Sequence, residues 1–123
     1  MATTGQFLWV DSEKQLDAVT ALSGSGPAYV FYFLEAMTRA GVAMGLPEGQ
    51  AHQLAVGTFV GASELALRSR EMPAVLRDRV TSKGGTTYAA LQSMEHDAVS
   101  AKFEAAMRAA EHRAQELGDE FGV

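Results

Sequence analysis

The sequence predicts an all-α domain with one short strand at its start. Apolar residues recur at three- and four-residue spacing through most of the chain, which is typical of helices that bury one side. Proline and glycine interrupt this pattern where one helix ends and the next begins. Only one short apolar run has the character of a strand. A chain of 123 residues without internal repeats is expected to form a single core.

The strand-like run covers residues 7–10, between Gly5 and Asp11. Its length and residue types are those of a short strand. A lone strand cannot satisfy its backbone hydrogen bonds, so this one either pairs with a copy of itself or belonged to something larger. We therefore divide the chain into residues 1–12, the strand and its connection, and residues 13–123, the helical domain.

Glycine and proline separate the first helices. Residues 13–22 are predicted to form a short helix that the stretch SGSGP ends. Pro27 suits the first position of the second helix because it lacks an amide hydrogen and has a helical φ. Gly45 ends this helix, and Pro47 begins the third.

The second and third predicted helices differ in character. Residues 27–46 are apolar around most of the helix, which predicts a central, buried element. Residues 47–69 contain glycines at positions 49, 57 and 61, each unfavourable by about 1 kcal/mol. Such small residues indicate that another backbone approaches closely.

Three further helices are predicted in the rest of the chain. Pro73 begins a short fourth helix, residues 86–96 form a fifth, and an amphipathic sixth follows until Gly118.

Composition excludes several classes of partner. A net charge of −5 argues against a nucleic acid or an anionic membrane. The chain has no cysteine, and His52, His96 and His112 lie apart on expected polar faces, so no metal site is predicted. No secretory leader and no apolar run of membrane-spanning length is present, so a cytoplasmic protein is expected. A small helical chain leaves apolar faces uncovered, which favours an oligomer.

The stretch TSKGGTT, residues 81–87, combines features of a small-anion site. Its glycines permit unusual φ values and close backbone approach, and its threonines begin a helix whose free amides carry partial positive charge. Hydroxyls and a lysine can add donors and charge. The residues concerned are Ser82, Lys83, Gly84, Gly85, Thr86 and Thr87. Spacing alone leaves an ordinary loop with a threonine N-cap as the alternative.

A second glycine-rich stretch, GSGPAY at residues 24–29, is not predicted to bind a nucleotide. It lacks the third glycine of the dinucleotide fingerprint and follows a helix rather than a strand. A tight break between two helices explains it better.

Two stretches together resemble the C-terminal domain of the pyrroline-5-carboxylate reductase family. They are DAVTALSGSGPAYVFYFLEAM, residues 17–37, and LRDRVTSKGGTTYAALQSME, residues 76–95. The sequence between them and the final RAQELG follow the family's order. The family reduces 1-pyrroline-5-carboxylate to L-proline with NADPH or NADH. The resemblance implies an all-helical domain that interlocks with its twin in a homodimer, or in a higher oligomer built from such dimers.

The resemblance also implies roles for the TSKGGTT stretch. The substrate carboxylate would be held by backbone amides and hydroxyls of Ser82, Gly84, Gly85, Thr86 and Thr87. The Thr87 hydroxyl would lie against the ring nitrogen, which makes Thr87 the candidate catalytic residue. No metal is implied.

Two departures from the family pattern matter. Lys83 stands where the family usually has proline, which removes a restriction on φ and adds a charge. No strand followed by G-x-G-x-x-G occurs, so no cofactor-binding residues are expected in this chain. The resemblance implies that residues 7–10 match the last strand of the family's dinucleotide domain, which is otherwise missing from this sequence. We expect a part of a reductase that is inactive alone. The alternative is a stand-alone helical dimerisation or regulatory module without catalysis.

Overall fold

The computed structural model describes residues 12–121. Within this range it contains six α-helices, one π-helical turn and no strand, which confirms the all-α prediction. The strand predicted at residues 7–10 lies outside the described residues. The elements are α1 Glu13–Val19, the π turn Thr20–Gly24, α2 Gly26–Ala43, α3 Glu48–Arg68, α4 Pro73–Arg79, α5 Thr86–His96 and α6 Val99–Phe121.

The chain divides into two compact units. Among the described residues, the first unit combines residues 12–30 with residues 99–121, and the second is Phe31–Ala98. In the first unit, α1, the π turn and α6 pack against one another. The TSKGGTT stretch lies in the second unit.

The first unit is built around the π turn. Ser12 caps α1, with its Oγ accepting a hydrogen bond of 3.2 Å from the Gln15 amide. Ala21, in the π turn, is buried, and its carbonyl accepts a 2.6 Å hydrogen bond from the Tyr29 hydroxyl. The Tyr29 ring meets the Phe103 ring edge to face at 5.4 Å. Tyr29 therefore ties the start of α2 to both the π turn and α6.

The α2–α3 connection in the second unit follows the predicted glycine and proline signals. The Gly45 amide donates to the Val42 carbonyl and the Leu46 amide to the Gly41 carbonyl, both at 3.0 Å. Gly45 has a φ of +105°. This is the Schellman motif, in which a left-handed residue ends the helix. Pro47 then precedes the first residue of α3.

The close approach of two helices occurs at Gly41. A Cβ at this position would lie 2.9 Å from the Ala51 Cβ, so glycine is needed for α2 and α3 to meet here. A Cβ at any of the three α3 glycines, at positions 49, 57 and 61, would meet nothing within 4 Å. The prediction of a close contact at those glycines is therefore wrong within this chain. The two helices meet instead at Gly41 of α2 and Ala51, near the start of α3.

Few apolar side chains are buried in the described part of the chain. The buried apolar residues there are Ala21, Ala51 and Ala55. On α2, Phe31 and Tyr32 are 65% and 68% exposed, so the prediction of a buried second helix is wrong for a single chain. The apolar residues of α2 do lie around most of the helix, but one chain supplies too few neighbouring helices to bury them.

The end of α6 also differs from the prediction. The helix continues through Gly118 to Phe121. Among the described glycines, only Gly45 and Gly84 have a positive φ. Glycine ends a helix by adopting a left-handed conformation, and Gly118 does not adopt it.

Candidate functional site

A β-turn from Ser82 to Gly85 forms the centre of the candidate site. The Gly85 amide donates a hydrogen bond of 3.0 Å to the Ser82 carbonyl, which closes the turn. Gly84 occupies the third position with a φ of +77°, and a positive φ at this position is the mark of a type II turn. Lys83 occupies the second position. The glycine at position 84 is therefore required by the backbone.

Gly85 begins α5 as its N-cap residue. Its φ and ψ are −90° and −172°, and no side chain caps the helix. A Cβ on Gly85 would lie 3.3 Å from the Ser82 carbonyl oxygen, so this position is tight as well. Thr86 is the first residue of the helix proper. The alternative prediction of a threonine N-cap is wrong, because the turn delivers glycine to that position.

Three backbone amides at the start of α5 have no partner in the described part of the chain. The Ala89 amide donates to the Gly85 carbonyl at 3.1 Å, which is the first hydrogen bond of the helix. The amides of Thr86, Thr87 and Tyr88 precede it and make no hydrogen bond to any described residue. Free amides at a helix start carry partial positive charge and attract anions. A carboxylate is the kind of ligand this arrangement can hold.

Hydroxyl groups surround these amides. Ser82, Thr86 and Thr87 are exposed, and their hydroxyls have no hydrogen-bond partner among the residues that the structure describes. Thr81 differs, since its Oγ1 donates to the Arg77 carbonyl at 2.6 Å. Thr81 therefore anchors the turn to the end of α4, while the other hydroxyls remain available to a ligand. The six residues of the predicted anion stretch, 82–87, therefore form one β-turn and the first two residues of α5.

The histidines lie on the surface, as predicted. His52 is exposed, His96 pairs with Asp97 at 3.1 Å, and His112 lies 3.5 Å from Glu116. The described residues include no group of three or more histidines and carboxylates that could hold a metal ion. Between residues 12 and 121, no helix is both long enough and apolar enough to cross a membrane.

No dinucleotide-binding motif occurs in the sequence or in residues 12–121 of the structure. The sequence contains no G-x-G-x-x-G, and the described range has no strand to precede one. The GSGPAY stretch runs from the π turn into α2, as expected for a break between helices.

Sequence reasoning did not find a cavity in the first unit. It measures about 810 Å³ and is lined mainly by residues of α1 and α6. Its charged lining includes Lys14, Asp17, Arg108 and Glu111, and Arg108 pairs with Glu111 at 3.2 Å. Neither the TSKGGTT residues nor any group with an obvious reactive role lines it. No sequence signal could have indicated it, because it arises from the packing of distant segments.

Between residues 12 and 121, the fold and the turn define an all-helical domain in which three amides and three hydroxyls around the start of α5 have no hydrogen-bond partner. The family described as "Pyrroline-5-carboxylate reductase dimerisation" matches residues 13–117. The chain belongs to this family.

Individual relatives agree with this assignment. A pyrroline-5-carboxylate reductase of Pseudomonas aeruginosa is 47% identical over 99% of this chain and 45% of its own length. A solved pyrroline-5-carboxylate reductase of Coxiella burnetii superposes with a TM-score of 0.85 at 42% identity, over 89% of this chain and 41% of that one. The Plasmodium falciparum pyrroline carboxylate reductase, solved with NADP bound, superposes with a TM-score of 0.84 at 34% identity. The match covers 88% of this chain and 41% of that one. The chain spans less than half the length of these relatives.

Proposed function

We propose that residues 13–123 are the dimerisation and substrate-binding domain of a pyrroline-5-carboxylate reductase, which reduces 1-pyrroline-5-carboxylate to L-proline. The observation that carries this proposal is the trio of free amides at Thr86, Thr87 and Tyr88, placed behind a glycine turn in a member of this family. The substrate is a small cyclic imine with one carboxylate, and the turn offers donors suited to that group.

The carboxylate is held by the turn and the helix start. The amides donate to its oxygens, and the hydroxyls of Ser82, Thr86 and Thr87 add further donors. Gly84 allows the positive φ of the turn, and Gly85 serves as the N-cap of α5. Neither residue has a side chain that could cover the amides. Holding the carboxylate at one place fixes which face of the ring is presented for reduction.

Thr87 is the proposed catalytic residue. Its hydroxyl is exposed and makes no hydrogen bond to a described residue. Reduction adds a hydride to the carbon of the C=N bond, the π electron pair moves to the nitrogen, and the nitrogen takes a proton from solvent to become an amine. A neutral hydroxyl can donate to that nitrogen and orient it, without the cost of burying a charge.

In the whole enzyme, NADPH or NADH supplies the hydride. The Plasmodium relative was solved with NADP bound, which supports this part of the proposal. The sequence contains no G-x-G-x-x-G motif, so we expect no dinucleotide site in this chain and propose that it is inactive by itself. The choice between the two cofactors depends on residues outside it.

A homodimer in the cytoplasm completes the proposal. The family's description names dimerisation, and the exposed apolar face of α2 offers the surface that a second copy would cover. Subcellular fractionation of the source cells would test the location, with recovery in a membrane or secreted fraction contradicting it.

A chimeric enzyme tests the proposed function. The part of the Pseudomonas relative that lies outside the matched region is joined ahead of Glu13, and oxidation of NADPH is followed with 1-pyrroline-5-carboxylate present. Activity that Thr87→Ala lowers at least tenfold, and that Thr58→Ala leaves unchanged, supports the proposal. Thr58 is an exposed threonine of α3, so its replacement is the same chemical change elsewhere.

The second candidate is a stand-alone dimerisation or regulatory module. The matched family is described by dimerisation, which fits such a module. A folded chimera that binds L-proline but oxidises no NADPH would support this candidate over the enzyme.

A further inference from the structure

A basic segment leads into the candidate site. Residues 68–83 contain five basic and two acidic residues, a net charge of +3 in a chain whose total is −5. The segment covers the end of α3, all of α4 and the first half of the glycine turn. Positive charge is therefore concentrated immediately before the free amides.

Some of this charge is neutralised and some is not. Arg68 pairs with Glu64 at 2.8 Å, and Arg79 pairs with Glu71 at 3.0 Å. Within the described range, no carboxylate oxygen lies within 4.0 Å of the charged groups of Arg70, Arg77 and Lys83. Their charges are available to act on an approaching anion.

Lys83 is the cation nearest in sequence to the amides. It is exposed and occupies the second position of the turn that the Gly85–Ser82 hydrogen bond closes. Three peptide units separate it from Thr86, so their Cα atoms are at most about 11 Å apart. The closed turn keeps this lysine beside the helix start.

We propose that Lys83 is a specificity-determining residue that attracts the carboxylate of the ligand to the α5 amides through solvent. This inference rests on the proposed function, since it assumes that the ligand binds at this helix start. The amides and hydroxyls fix the position of the carboxylate, and the lysine raises its affinity. Lys83 does not take part in the chemical step.

The expected effect is modest and depends on salt. An exposed charge several ångströms from an anion changes the dissociation constant about two- to fivefold at low ionic strength. Screening shortens the range of this attraction to about 3 Å at 1 M salt, so the effect disappears there. A contribution from shape or turn geometry would not depend on salt in this way.

Nuclear magnetic resonance on the 123-residue chain tests the inference. The probe is cyclopentanecarboxylate, a five-membered ring with one negative charge, and cyclopentanecarboxamide is its neutral counterpart. Lys83→Met is compared with Lys102→Met, which removes the same charge from an exposed position of α6. Lys83→Arg keeps the charge.

At low salt, Lys83→Met should weaken carboxylate binding two- to fivefold relative to Lys102→Met, and Lys83→Arg should bind as the unmodified chain does. The difference should vanish at 1 M salt, and the carboxamide should show no difference at any salt. Equal affinities of the two methionine variants, or a loss that persists at 1 M salt, would overturn the inference alone. Absence of carboxylate-induced shifts at the Thr86–Tyr88 amides of the unmodified chain would contradict the proposed function as well.

Discussion

The amide of Gly85 donates to the carbonyl of Ser82 at 3.0 Å, and this one hydrogen bond connects the turn to the start of α5. It places Gly84 at the position where φ is +77° and leaves Gly85 as the N-cap. Because neither glycine has a side chain that could cap the helix, the amides behind them stay free. The same two residues therefore shape the backbone and keep the site open.

Replacing Gly84 with alanine should destabilise the turn. A left-handed φ costs an alanine about 1–2 kcal/mol, so the free energy of unfolding should fall by that amount and ligand binding should weaken. Gly49→Ala is the matched control, because this α3 glycine has a negative φ and open space around it. The control should raise stability by up to about 1 kcal/mol. Urea unfolding measures both, and a neutral Gly84→Ala would contradict the turn.

Gly41→Ala should destabilise the α2–α3 contact by about 1–3 kcal/mol, because its Cβ would lie 2.9 Å from that of Ala51. The double variant Gly41→Ala with Ala51→Gly removes the clash and should recover part of the lost stability. A double-mutant cycle from thermal unfolding measures the coupling. Additive effects of the two substitutions would show that these residues do not touch.

Tyr29→Phe should lower the free energy of unfolding by about 1 kcal/mol. It removes the 2.6 Å hydrogen bond to the Ala21 carbonyl and keeps the ring that meets Phe103. Tyr29→Leu removes both contacts and should cost more. Equal stability of the phenylalanine variant and the unmodified chain would show that the hydrogen bond contributes nothing net.

The chain should be dimeric when folded. Large exposed side chains on α2, among them Phe31 and Tyr32, would be covered by a second copy. Light scattering should find no folded monomer at micromolar concentration, and the unfolding midpoint should rise with chain concentration. A compact monomer with a midpoint independent of concentration would contradict the interlocked dimer.

Signals that act on the local backbone were predictable from the sequence. Gly45 and Pro47 marked the α2–α3 break, and the bounds of α5 were predicted as residues 86–96, where the structure has them. These predictions succeed because a left-handed glycine and a missing amide act on their own turn of helix. The anion stretch could be proposed for the same reason.

Features that depend on distant neighbours could not be predicted. The π turn accompanies a contact between Tyr29 and Ala21, eight residues apart. Which glycine permits close helix packing depends on the residue that faces it from the other helix. The sequence alone does not show that Ala51 faces Gly41. Apolar periodicity shows that a helix face is buried in the folded protein, but it does not show whether the same chain or a second chain buries it.

A crystal structure of the chimeric enzyme with L-proline would test the proposed site most directly. We expect the proline carboxylate oxygens within hydrogen-bonding distance of the Thr86, Thr87 and Tyr88 amides, and the Thr87 hydroxyl beside the ring nitrogen. A proline carboxylate bound elsewhere, with those amides facing water or another part of the protein, would contradict the site.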